Sequence, residues 1–273
     1  LSTIRNNPAK QKKVKTKKQK AIAATCAVAF WLLVWHVVSL CVGSELVLVS
    51  PVKVVQTLFT VIFDPDFLKT VWYSAARILG GFFTALTLGT VLGWVASRFW
   101  VVETLLRPIT AVIKATPVAS FIILVLLWFS GKNLSVIISM LMVFPVIYMN
   151  VLEGIRSADE ELLEMAQVFR LSVSKKLLYI YLPAVAPFFV SACSVSLGLC
   201  WKSGIAAEVI GTPDGSIGAV FYQAKIFLQT SELLAWTVVV VAVSVAFEKL
   251  FMLLLRLVLK KLKMEDVLNG KRA

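Results

Sequence analysis

Residues 157–183 read SADEELLEMAQVFRLSVSKKLLYIYLP, a charged stretch set between apolar segments long enough to cross a bilayer. Its start carries helix signals. Ser157 is followed three residues on by Glu160, the spacing of a capping box. Asp159, Glu160 and Glu161 fill the first turn, where the helix dipole favours negative charge. Leu162, Met165, Ala166, Phe169 and Val173 then recur at helical spacing, giving one apolar stripe opposite a face of Glu161, Glu164, Gln167 and Arg170. A second short segment starts near Ser172 and Ser174, carries Lys175 and Lys176, and runs into YIYLPA, where Pro183 is tolerated in the first turn of the next span.

The surroundings of this stretch are those of a membrane protein. Of 273 residues 59 % are hydrophobic and 16 % charged, against about 25 % charged in an ordinary soluble domain. Runs of about 20 apolar residues match a hydrocarbon core of roughly 30 Å. Residues 21–42, 70–96, 109–129, 134–151 and 233–255 read as spans, and 183–200 as a weaker sixth interrupted by serines. The runs are continuous rather than alternating, which excludes a β-barrel. The expectation is an all-α membrane protein of six transmembrane helices.

Six spans place both termini on one side, and lysine and arginine choose the side. Arg5, Lys10, Lys12, Lys13, Lys15, Lys17, Lys18 and Lys20 precede the first span, and Arg256, Lys260, Lys261, Lys263, Lys271 and Arg272 follow the last. The loops 43–69 and 202–232 are nearly balanced, so both termini are expected in the cytoplasm. The chain then divides into a basic tail (1–20), a transmembrane domain (21–257) holding the polar loop 153–179, and a second basic tail (258–273). The net charge of +13 reflects this topology and attraction to anionic lipid, not nucleic-acid binding. Residues 21–42 exceed the apolar part of a secretory signal and no small-residue cleavage site follows, so they read as an uncleaved anchor.

In this topology the stretch 157–183 is cytoplasmic. A helix lying on anionic lipid should be basic; this one begins with acids, and its apolar stripe beside charges suits a groove on a soluble partner. EMAQVFRLSVSKKLLYIYLP resembles the EAA loop of ABC-importer permeases, whose pattern is E-A-A, a glycine four residues after the second alanine, then I-x-L-P. Glu164, Ala166, Ile180, Leu182 and Pro183 match it; Met165 replaces the first alanine and Arg170 the glycine. At Arg170 either a non-glycine residue sits in the left-handed region, at about 1 kcal/mol, or the two short helices join differently. SAARILGGF (74–82), LLRPITAVIKATP (105–117), LLWFSGKNLSVI (126–137) and AAEVIGTPDGSIG (206–218) are similar, in order and spacing, to the nitrate, sulfonate and taurine branch of these permeases.

The resemblance implies a type I importer permease fold in the bacterial plasma membrane, with the loop as a coupling helix. Its ATPase-coupling residues would be Glu161, Glu164, Met165, Ala166, Phe169, Arg170 and Leu171. It further implies a cytoplasmic ATPase dimer, an extracytoplasmic solute-binding protein and a second permease copy as partners, besides membrane lipid. No GxxxxGK[ST] occurs, so this chain does not cradle ATP; ATP and Mg belong to the partner, and no catalytic residue or cofactor is expected here. Cys26, Cys41, Cys193 and Cys200 show no metal-type clustering.

Inside the spans, Gly81, Ala85, Gly89, Gly93 and Ser97 recur at four-residue intervals, a small-residue face that lets another helix approach closely and is expected to join two copies. Ser191, Ser194, Gly198 and Lys202 share one face of the fifth span, either a helix interface or, as the resemblance favours, pore lining. Arg77, Lys114 and Lys202 are costly in hydrocarbon and must snorkel, pair or line water; Lys114 and Lys202 are candidates for the translocation path, Lys202 with Glu208 as the alternative partner. His36 reads as a packing residue. A secondary transporter would need titratable groups at mid-membrane and often inverted repeats; the predicted spans hold almost no carboxylates, and a membrane enzyme lacks any buried acid–base pair. Which small anionic or zwitterionic solute the chain carries is not written in it.

Overall fold

The computed structural model describes residues 17–262; the tail cations Arg5, Lys10, Lys12, Lys13, Lys15, Lys263, Lys271 and Arg272 lie outside them. Eleven α-helices follow one another: α1 Lys17–Val42, α2 Pro51–Ile62, α3 Phe67–Arg98, α4 Trp100–Ala115, α5 Val118–Leu126, α6 Gly131–Arg156, α7 Glu160–Val168, α8 Val173–Lys176, α9 Leu182–Gly211, α10 Ile217–Ile226 and α11 Thr230–Lys261. A π-helical turn, Leu177–Tyr181, joins α8 to α9. The described residues contain no strand.

Five of these helices are long and apolar enough to cross a bilayer, and α4 with α5 makes a sixth if the bent pair counts as one span. The expected straight span 109–129 is thereby corrected: α4 and α5 meet at 106°. Pro117 is the cause, since its ring pushes Thr116 out of the helical region, to φ −81°, ψ 133°. The weak sixth span also runs past Cys200 to Gly211. Lys202 and Glu208 interrupt the apolar run but not the helix, because Glu208 is buried among polar partners and Lys202 is exposed.

Two helices form within segments read as loops. In α2, the Ser50 side chain accepts from Lys53 N–H and Pro51 takes a first-turn position where no N–H is needed. In α10, Ser216 caps by accepting from Ala219 N–H.

The centre of the molecule is α6, packed between α3 and α9. α3 runs parallel to it, and the small-residue face makes that contact. A Cβ on Gly81 would stand 2.4 Å from the Val136 carbonyl oxygen, and on Gly89 and Gly93 it would stand 3.0 Å from the Cβ of Ile147 and Val151. Ala85 is fully buried between them. This face is covered by α6 of the same chain, which corrects the expectation that two copies meet there; a second copy would have to use another surface. α9 runs antiparallel on α6, with Gly154 against Val185 at one end and Gly131 against Gly211 at the other.

α11 crosses this core, packing Phe251 edge-on to Phe82 at 5.3 Å and Trp236 beside Phe67 at 5.6 Å. Its end reaches the start of α9, where Leu259 and Ala186 are buried together. The ends of α3, α6 and α11 therefore gather with α7 and α8 at one end of the bundle, here the hairpin end; α2 and α10 lie at the far end. α1 leans on α2, and the Trp35 indole donates to the Val49 carbonyl, just before α2, at 3.1 Å.

The glycines of α3 differ in what surrounds them, which makes a paired measurement decisive. Gly81→Ala must push apart two backbones and should cost about 1–3 kcal/mol. Gly80, with open space where a Cβ would go, should gain slightly from alanine's helix propensity. Thermal unfolding of both variants in detergent should therefore move in opposite directions.

Candidate functional site

The hairpin begins where α6 stops. Ser157 ends α6, its N–H bonded to the Glu153 carbonyl at 2.9 Å and its hydroxyl donated to the Gly154 carbonyl at 2.9 Å. The expected capping box at Ser157 therefore does not form, because its hydroxyl is committed to the helix behind it. Asp159 caps α7 instead, accepting from Glu161 N–H at 2.9 Å, with Glu160 and Glu161 in the first turn.

The end of α7 answers the question raised by Arg170. Its φ is +51°, inside the left-handed region. Leu171 N–H reaches back to the Ala166 carbonyl at 2.9 Å and Arg170 N–H to that of Gln167 at 3.0 Å. This pair of bonds is a Schellman ending, whose left-handed position is ordinarily glycine. Leu171 packs on Ala166 within a small cluster that includes Ala158 and Ile180, the apolar contact that accompanies such an ending.

That cluster divides the expected stripe. Ala166 is fully buried and Leu163 half-buried toward the bundle. Leu162, Met165, Phe169 and Val173 are exposed, Phe169 at 71 % and Val173 at 82 %. Glu161, Glu164 and Arg170 are exposed beside them, and Leu171 is half-buried. The hairpin is thus held from below by Ala166 and offers an apolar, acid-flanked surface outward. Beyond α8 the chain widens into the π turn, where Leu182 N–H bonds to the Leu177 carbonyl. Pro183 has no N–H for the Tyr179 carbonyl and its ring crowds that position, which accounts for the extra residue in the turn.

At mid-depth, a groove of about 530 Å³ opens where α4 bends into α5, against α6 and α9. Lys114, Thr116 and Asn150 supply its polar wall, and Met142, Pro145 and Leu199 are among its apolar ones. The Lys114 ammonium lies 3.4 Å from the Met149 sulfur. The α9 candidates are not brought to this groove. Ser194 donates to Glu248 on α11 at 3.1 Å; Ser191 and Lys202 are exposed, and Gly198 is half-buried with open space where a Cβ would go. Lys202 makes no ion pair among the described residues, and Glu208 is engaged elsewhere.

Glu208 is the polar site that the sequence reading undervalued. It is fully buried. One carboxyl oxygen accepts from the Ser74 hydroxyl at 2.6 Å and from Gly218 N–H at 3.4 Å, while Ser74 itself accepts from Ile217 N–H at 2.9 Å. The carboxyl therefore sits at the start of α10, where helix N–H groups favour an acceptor, and joins α3, α9 and α10. Gly218 is required for this: its Cβ would stand 2.3 Å from that of Glu208. The blocks SAARILGGF and AAEVIGTPDGSIG each hold one half of the arrangement, the signal that could have paired them. Close by, Arg77 bonds the Lys132 carbonyl and stacks 4.2 Å from the Tyr73 ring centre.

Two stability measurements follow from these geometries. Arg170→Gly should raise the thermal midpoint of the assembled protein, by relief of up to ~1 kcal/mol of left-handed strain. Glu208→Ala leaves the Ser74 hydroxyl and Gly218 N–H without their acceptor and should lower stability by ~1–3 kcal/mol; Glu208→Gln, which keeps an acceptor oxygen, should lose less.

Comparison with known proteins agrees with this architecture. A family model described as "binding-protein-dependent transport system inner membrane component" matches residues 85–264. The putative aliphatic sulfonates transport permease protein SsuC of Bacillus subtilis (strain 168) is 29 % identical over 84 % of this chain and 83 % of its own. The taurine transport system permease protein TauC of Escherichia coli (strain K12) is 27 % identical over 78 % of this chain and 80 % of its own. The nitrate import permease protein NrtB of Synechocystis sp. (strain ATCC 27184 / PCC 6803 / Kazusa) is 26 % identical over 74 % and 76 %. With its several apolar helices, the chain is a multi-pass protein of the bacterial plasma membrane. It belongs to the binding-protein-dependent transport inner membrane components, the permease subunits of ABC importers.

Proposed function

We propose that this chain forms half of the translocation path of an ATP-driven importer for a small anionic or zwitterionic solute. The α7 hairpin serves as the coupling helix that docks into a separate ATPase dimer. Solute arrives from an extracytoplasmic binding protein, and a second copy of the chain completes the pore. ATP and Mg act on the partner subunits.

The observation that carries the reading is the division of α7, with Ala166 buried beneath it and Met165 and Phe169 exposed above, flanked by Glu161 and Glu164. A helix fixed to the bundle on one side and apolar on the other transmits a push on its outer face to the elements below. Here these are Ile180 in the π turn and, through it, the start of α9.

Orientation is supported by charge. Arg98, Arg156, Lys175, Lys176, Arg256 and Lys260 all sit at the hairpin end, the bias expected of a cytoplasmic face. Arg107, Arg170, Lys249 and Lys261 add to that end, whereas the far end holds Lys53, Lys69, Arg77, Lys132, Lys202 and Lys225; acids lie at both ends and weigh little in this bias. The solute class is supported by the Lys114 groove, where one ammonium beside Thr116 and Asn150 offers an anion attraction without a trap. The sulfonate, taurine and nitrate relatives agree with that chemistry.

Glu164→Lys tests the coupling role. It reverses a charge on an exposed position of α7, so the protein should still reach the membrane in normal amount. Transport and solute-stimulated ATP hydrolysis should fall to background when the variant is assembled with its own ATPase. Unchanged transport and stimulation would sink the assignment of α7 as the coupling helix.

A further inference from the structure

We propose that the hairpin end carries a binding site for an anionic phospholipid, formed where two cavities of opposite character adjoin. The first, about 440 Å³, opens between the end of α3 and the hairpin; Arg98, Gln167 and Lys176 supply its polar wall, and no acidic residue lines it. The second, about 450 Å³, lies against α3, α6 and the start of α9, walled by Thr90, Val91, Val151 and Val185. The Thr90 hydroxyl is committed to the Leu86 carbonyl at 2.6 Å, so this second wall is apolar. Trp94, Ile155, Leu177 and Tyr181 line both cavities, making them one continuous amphipathic cleft.

The order of the two along the membrane normal matches a lipid. Val91 precedes Arg98 by seven residues on α3, about 10 Å deeper at 1.5 Å per residue. The polar cavity therefore lies at headgroup level and the apolar one at the upper acyl chain. Trp94 and Tyr181 stand at the boundary, where aromatic residues collect in membrane proteins. Arg98 and Lys176 make no ion pair among the described residues, and a basic pocket between membrane helices is the recurring receptor for an acidic headgroup. A zwitterionic lipid would bring its own cation against both. The occupant touches Leu163 and Gln167 of the hairpin neighbourhood as well as Trp94 of α3, so its presence ties the hairpin to the span beside it. The competing occupant is an acidic segment of the ATPase, which would use the polar cavity alone.

The test is lipid retention by the assembled transporter, read by native mass spectrometry. The protein is first equilibrated with equal amounts of phosphatidylglycerol and phosphatidylcholine of the same acyl chains. Wild type should retain phosphatidylglycerol preferentially. Arg98→Gln with Lys176→Gln should cut that retention roughly thirtyfold, about fivefold per basic group, leaving phosphatidylcholine unchanged, whereas Arg98→Lys with Lys176→Arg should keep it. Val91→Trp fills the apolar cavity without touching either cation and should lower phosphatidylglycerol retention several-fold, by an amount that roughly follows the apolar area lost. Soluble glycerol phosphate should fail to displace the lipid. Equal retention of both lipids by wild type, or displacement by glycerol phosphate, overturns the proposal. So does unchanged phosphatidylglycerol retention in the double glutamine variant, and if ATPase association is lost there, the basic wall belongs to the protein partner. Should that variant not assemble, unchanged retention in Val91→Trp overturns the proposal by itself.

Discussion

The contact on which the architecture rests is the backbone-to-backbone approach of α3 and α6. Lipid is as apolar as a leucine side chain, so no solvent-driven force presses two membrane helices together, and packing at contact distance must supply the attraction. At Gly81 that approach leaves no room for a Cβ beside the Val136 carbonyl, and Gly89 and Gly93 continue the fit against Ile147 and Val151. With α3 locked parallel to α6 on one face, α9 takes another, drawn close at both ends by Gly154 and by Gly131 with Gly211. Between those two close points lies the level at which the groove with Lys114 and Asn150 opens, at the bend that Pro117 imposes on α4 and α5.

The hairpin depends on the same frame. Ala166 is its anchor, small enough to reach the cluster formed with Ala158 and Ile180. The chain can turn at Arg170 because the Schellman bonds and the Leu171 contact outweigh about 1 kcal/mol of left-handed strain. The described chain holds two further non-glycine residues at positive φ, Thr212 and Leu228. Leu228 has the same ending as Arg170, with Gln229 N–H on the Ala224 carbonyl at 2.8 Å and Leu228 N–H on that of Lys225 at 3.3 Å. Thr212 closes α9 with a single bond from its N–H to the Glu208 carbonyl at 2.7 Å, so left-handed strain sits at the ends of α7, α9 and α10.

Three side-chain hydrogen bonds within the bundle mark junctions between elements. Glu208 with Ser74 fastens α10 to α3 and α9. Ser139 donates to the Cys200 carbonyl at 3.2 Å between α6 and α9, and Ser194 to Glu248 between α9 and α11. These bonds supply the orientation that apolar packing alone leaves loose.

Composition and apolar run length already determined a helical membrane protein, because hydrocarbon permits a backbone no other way of satisfying its polar groups outside a closed barrel. The polar helix after α6, the small-residue face of α3 and the family motif around Glu164 and Pro183 were equally legible, since each depends on spacing within a short stretch of chain. What needed the tertiary structure was every choice between partners. The small face could meet a second copy or a neighbour within the chain, and only the course of α6 shows that it meets α6. Ser157 could cap the helix ahead or close the one behind, and α6 running to Arg156 decides it. Ser74 and Glu208 are 134 residues apart, a pairing no local pattern encodes. Periodicity reports which face of a helix is special; which surface covers it is settled by packing between distant segments.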